Sequence, residues 1–170
     1  MSYRNLFEPL GVSRTHFKRL FSCARGIQSL KAKDLYAIEK QTLVDKLSLL
    51  LTGRVSVMKN GVIRHIIDCN QFLESPEWFG MSTSDTYQVS INALEDSQLL
   101  VWNRDKLKLI ISNDRYLLTI LDHILGKDIV KKLMLSLDIE STNSPSEKTK
   151  LLNSMLPVDQ IISLNTLRSK

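Results

Sequence analysis

The sequence predicts an α+β domain in which an antiparallel all-β unit is framed by helices at both ends. Three observations carry this. Apolar residues recur at helical spacing before residue 24 and again after residue 103. Between Ile27 and about Asn103 the pattern changes to short apolar runs separated by turn residues. Lys59-Asn60-Gly61 stands between two such runs, and an Asn-Gly pair suits a type I′ turn, whose two central residues both need positive φ.

The first helical segment carries Leu6, Phe7 and Leu10, is interrupted near Gly11, and resumes with Phe17, Leu20 and Phe21 after Ser13, a suitable N-cap for Arg14 to Cys23. It is basic, with Arg4, Arg14, Lys18, Arg19 and Arg25 against Glu8, so either a solvated face or attraction to an anionic membrane surface is expected. Strands are expected at Leu35–Ile38, Leu47–Leu51, Arg54–Met58, Val62–Ile67, Tyr87–Ile91 and Gln98–Trp102, with His65 a structural histidine inside its strand. A short helix follows over Arg104–Ile111. A longer one over Asp114–Leu137, bent at Gly126, carries an apolar stripe wider than one packing face requires. That stripe predicts a homo- or hetero-dimer through helix 114–137, which a charge at Ile124 or Leu125 should disrupt. The domain is expected to span 1–137, with residues 138–170 a polar linker and a disordered or short-helical tail.

Composition bounds the function. A chain of 170 residues, 43% hydrophobic and 24% charged, suits one ordinary core. No apolar run approaches the ~20 residues of a membrane span, and the N-terminus lacks a signal-peptide core, so the chain as given is expected to be soluble. The net charge of +5 comes from dispersed basic residues with only 6% aromatics, which argues against nucleic acid. Cys23 and Cys69 have no metal-type spacing, and His16, His65 and His123 are scattered. Free thiols in a reducing compartment and no metal site are expected.

The stretch Asn70–Ala93 is the candidate site. Glu74-Ser75-Pro76-Glu77 reads as the start of a short helix, where unpartnered N–H groups and Pro in the first turn form an anion site. From His65 through Asn103 there is no Lys or Arg, against six acids: Asp68, Glu74, Glu77, Asp85, Glu95 and Asp96. An anion here is therefore held by backbone N–H groups and neutral donors, or by a cation brought from Arg54, Arg64 or the C-terminal helices.

Phe72-Leu73-Glu74-Ser75-Pro76-Glu77-Trp78, Tyr87-Gln88-Val89-Ser90, the upstream Val44-Asp45-Lys46-Leu47-Ser48 and the downstream Trp102-Asn103-Arg104-Asp105-Lys106-Leu107 resemble the Popeye domain. The resemblance covers about Tyr3 to Leu137 and implies a jelly-roll-like cyclic-nucleotide-binding β-roll. It implies a cyclic AMP receptor and no enzyme, with cyclic AMP as ligand, no other cofactor, and binding residues Glu74, Ser75, Pro76, Glu77, Tyr87, Gln88, Val89 and Ser90. Within that set Glu74 faces the ribose, the N–H groups of Ser75 to Trp78 meet the phosphate, and Gln88 with Ser90 completes the polar wall. It also implies a cytoplasmic domain at the plasma membrane of striated muscle, heart included. There the protein is anchored by transmembrane helices absent from this chain, is linked to cell adhesion, and is partnered by caveolin and a two-pore potassium channel. The family pattern is Asp-Ser-Pro-Glu and Phe-Gln-Val-Thr, where this chain has Glu74 for Asp, Tyr87 for Phe and Ser90 for Thr. Two other readings stand beside it. One is an interaction scaffold without ligand; the other, a hydrolase using Glu74 and Glu77, yields to their simpler role as partners of a helix start.

Overall fold

The structure is a computed structural model that describes residues 3–80 and 84–141, with the side chains of 136–141 not described. The calls on residues 142–170 and on Met81, Ser82 and Thr83 lie outside the described residues.

A π turn, Tyr3–Phe7, and a 3₁₀ turn, Glu8–Leu10, stand where the sequence predicted a first helical segment. Gly11 ends them at φ 72°, and the Ser13 hydroxyl caps α1, Arg14–Ser22, by accepting from the His16 N–H. Seven strands follow: β1 Gly26–Leu30, β2 Leu35–Ala37, β3 Lys46–Thr52, β4 Val55–Lys59, β5 Val62–Ile67, β6 Ser90–Ala93 and β7 Ser97–Asn103. Between β5 and β6 lies the four-residue helix α2, Ser75–Trp78, and after β7 come α3, Arg104–Ser112, and α4, Arg115–Ser141.

The strands form two antiparallel sheets, ordered β1-β7-β3 and β2-β6-β4-β5, rolled against each other. The β4–β5 hairpin turns at Asn60 (φ 51°) and Gly61 (φ 75°), the positive pair that the Asn-Gly signal demands. At the other end of β4, Gly53 takes φ 87°, and a Cβ there would meet Ser97 Oγ at 2.2 Å, so only glycine lets the β3–β4 turn pass beneath β7.

Alternation along β3 and β7 divides the core in two. Leu47, Leu49, Leu100 and Trp102 face the helices and pack with Phe7, Leu20, Leu107, Leu117 and Leu121. Leu50, Leu99 and Val101 face the interior of the roll with Val55, Val57, Ile91 and Tyr87. Burial on both faces explains why these strands read as continuous apolar runs. Trp102 Nε1 donates to the Leu20 carbonyl at 2.7 Å, and Arg19 meets Asp114 at 2.7 Å, so α1 is tied to β7 and to the start of α4.

Four expectations change. The strand expected at Tyr87–Ile91 begins only at Ser90, because Tyr87 turns its backbone to Lys40 and Thr42, outside the β6 ladder. The long helix does not stop at Leu137 but continues to Ser141, so Glu140 and Ser141 complete α4 and do not open a linker. Ile124 and Leu125 are core residues under the helices and not an outward face. Among the described side chains, the aliphatic positions that α4 leaves most exposed are Val130, Leu133 and Met134, by 55, 55 and 59%.

Candidate functional site

The segment from Phe72 to Trp78 is held from both sides. Glu74 sits at the N-cap of α2, yet its side chain makes no cap bond and turns into the roll, where it is 1% exposed. Its Oε1 accepts from the phenols of Tyr36 and Tyr87, the latter at 2.7 Å, and its Oε2 accepts from the Ser48 N–H at 2.7 Å. The two tyrosine rings meet edge-on at 6.3 Å. Burial pushes the Glu74 carboxyl up to about 7, against the pull of the three donors, so desolvation outweighs hydrogen bonding. Burial and the neighbouring carboxylate together raise both phenols well above the usual range, so they remain donors.

Ser75 turns the other way, toward α4. Its Oγ donates to Asp128 and accepts from Lys132 Nζ at 2.7 Å, while those two side chains, one helical turn apart, pair at 2.8 Å. Asp128 also accepts from the Phe72 N–H at 3.3 Å, and Lys132 donates to the Phe72 carbonyl. Lys132 is only 5% exposed, so the pair is a buried one completed by hydrogen bonds to the chain just before α2. His65 on β5 belongs to the same neighbourhood. Burial first, and then the Lys132 charge, lower its pKa to about 4, as suits the structural histidine expected there.

The remaining candidates fall around this pair. Pro76 occupies the first turn of α2. The Trp78 N–H is not free for a ligand, since it closes the turn on the Glu74 carbonyl at 2.9 Å; that of Glu77 meets its own carboxylate, and that of Ser75 has no backbone partner among the described residues. Burial raises the Glu77 carboxyl, and the Glu77 carbonyl accepts from Arg104 Nη2 at 2.7 Å. Gln88 spends its amide on the Thr86 carbonyl at 3.0 Å, Val89 packs against the roll interior, and Ser90 Oγ accepts from the Glu39 N–H at 3.0 Å. Glu74 and Tyr87 thus share one network and Ser75 belongs to another on α4, whereas Gln88 is tied to Thr86 two residues before it and Ser90 to Glu39. Sequence reasoning missed Tyr36, Ser48, Asp128, Lys132 and Arg104. A signal existed for two of them: Asp128 and Lys132 interrupt the apolar stripe of α4 at positions that continue its buried face, four residues apart and opposite in charge.

The sequence model of the family described as POPDC1-3 matches residues 1–138. The chain belongs to the Popeye domain-containing family. This Popeye domain is 35% identical over 134 residues to Popeye domain-containing protein 3 of Gallus gallus, covering 77% of this chain and 44% of that protein. It is 35% identical over 173 residues to Popeye domain-containing protein 1 of Rattus norvegicus, covering 98% and 47%. The chain therefore spans less than half the length of these relatives. Among solved structures, a cyclic nucleotide-binding domain from Methylobacillus flagellatus matches with TM-score 0.63 at 21% identity, over 74% of this chain and 71% of that one. The cyclic AMP-bound PfPKA-R matches with TM-score 0.60 at 10% identity, over 84% and 46%. The Popeye domain has the cyclic-nucleotide-binding fold.

Proposed function

We propose that this Popeye domain is a cyclic AMP receptor that passes occupancy of its β-roll to α4. The observation that carries the reading is the opposed placement of two adjacent side chains: Glu74 in the roll with Tyr36, Tyr87 and Ser48, and Ser75 on the Asp128–Lys132 pair. A ribose hydroxyl donating to Glu74 takes the place of a tyrosine phenol. The Ser75 N–H, joined by that of Glu77 once the Glu77 carboxylate swings away from it, takes the cyclic phosphate, with Arg104 bracing the far end of α2. Arg54 is engaged with Glu95 at 3.3 Å, which favours the backbone donors over this arginine as the holder of the phosphate. A shift of α2 reaches α4 through Ser75 and changes how Val130, Leu133 and Met134 are presented to a second Popeye domain. Cytoplasmic placement at the plasma membrane, regulation of trafficking, and action on an ion channel or caveolin follow from the family resemblance and belong to the same proposal.

A non-binding interaction scaffold is the second reading, favoured by the fact that protein donors already occupy both oxygens of Glu74. Calorimetric titration with cyclic AMP and cyclic GMP separates the two. Glu74→Ala should weaken cyclic AMP binding by ~1.5–3 kcal/mol, on the order of tenfold to a hundredfold, and Glu77→Ala by less. No binding to the folded wild type would leave the scaffold reading.

A further inference from the structure

A second cavity, separate from the Glu74 network, opens between the N-terminal turns, the chain just before α2 and the outer side of α4. Its volume is about 360 Å³, within the range of small-molecule sites. Leu6, Pro9, Leu10, Phe72 and Ile124 give it an apolar wall. Asn5, Asn70 and Gln71 add amides to it, and Lys127, Lys131 and Asp128 add charges. Gln71 is 4% exposed; its Oε1 accepts from the Asp68 N–H at 2.7 Å, but its Nε2 is buried without a partner. A buried amide donor left unsatisfied is costly, and an acceptor bound in the cavity removes that cost once the Gln71 side chain turns toward it. Lys127 and Lys131, exposed and one turn apart, line the same cavity and have no carboxylate partner among the described residues. The one acid in the wall, Asp128, is already neutralised by Lys132 at 2.8 Å.

We infer that this cavity binds an anionic amphiphile, a carboxylate or phosphate head with a short apolar body, between the Gln71 amide and the Lys127 and Lys131 ammonium groups. Neutral apolar molecules satisfy neither the amide nor the lysines, and a free inorganic anion leaves the apolar wall wet. The site stands independently of cyclic-nucleotide binding, yet it shares Phe72 and Asp128 with the Ser75 contact, so an occupant presses on the same helix.

Cys69 gives the test a direct reporter, because it lines the cavity and is exposed. In a Cys23→Ser background, the alkylation rate of Cys69 is followed with decanoate, decyl phosphate, decanol and inorganic phosphate, each below micellar concentration. Decanoate and decyl phosphate should slow alkylation at least several-fold, and the ratio between them identifies the preferred head. Gln71→Glu, which keeps the acceptor to Asp68 and reverses the donor, and the surface change Lys127→Glu/Lys131→Glu should each weaken protection by ~tenfold or more. Equal protection by decanol, protection by inorganic phosphate alone, undiminished protection in the folded lysine variant, or a Cys69 unreactive from the start would each overturn the assignment.

Discussion

Lys132 Nζ lies 2.7 Å from Ser75 Oγ, joining a helix near the end of the described chain to the first residue of α2, 57 positions earlier. The contact is buried and shared with Asp128, so neither helix moves alone without exposing a charge or parting it from its counterion.

Lys132→Met leaves Asp128 buried with only the Ser75 hydroxyl and the Phe72 N–H. We expect a loss of ~3–5 kcal/mol in urea unfolding. Adding Asp128→Leu should recover most of it, because the unpaired charge goes with the second change. A double variant no more stable than the single one would contradict this account.

Tyr87→Phe removes one donor from Glu74 and keeps the ring. Stability should fall by about 1 kcal/mol, while cyclic AMP affinity should rise several-fold, since an oxygen lone pair is freed for the ribose. An unchanged or weakened affinity, measured by calorimetry, would mean that the phenol itself contacts the ligand.

Glu74 and His65 act oppositely with pH. Glu74, about 7 when folded against 4.5 ordinarily, contributes stability that is complete below 4.5 and lost as pH rises through 7. His65, about 4 against 6.5, contributes stability that is complete above 6.5 and lost as pH falls through 4. Each is worth about 3 kcal/mol, so the wild type should be nearly flat between pH 5 and 6.5. Glu74→Gln should unmask the histidine and become steadily less stable on acidification. Parallel curves for the two proteins in urea melts at pH 5, 6 and 7 would refute the assignment.

Leu133→Asp should convert a dimer to a monomer in analytical ultracentrifugation at tens of micromolar, with no change in melting temperature. Leu125→Asp should unfold the domain, since Leu125 is fully buried. A wild type that sediments as a monomer would remove the proposed interface.

The architecture was legible because its signals are local: Asn60-Gly61 for the hairpin, Ser13 for the α1 cap, and runs buried on both faces for β3 and β7. The strand ahead of Ser90 was misplaced because alternation over Tyr87–Ile91 fits a ladder equally well. Its start is decided by backbone bonds from Tyr87 to Lys40 and Thr42, about 45 residues earlier. The direction of the Glu74 side chain is not legible in the sequence. That direction depends on Tyr36 and Ser48, which reach it from two other strands. The exposed apolar positions of α4 lie further along the helix than Ile124 and Leu125 because a helix stripe shows its width, whereas which part the core covers is settled by packing.

The chain holds two tryptophans. Trp78 ends α2, with the Lys108 ammonium of α3 at 5.3 Å from its ring centroid, and Trp102 lies deep between sheet and helices. The cassette therefore carries its own optical reporter. In a Trp102→Phe protein the emission comes from α2 alone, and its intensity is set by how far that ring sits from a charge on another helix. Displacement of α2 against α3 can then be timed by stopped-flow fluorescence without attaching a dye.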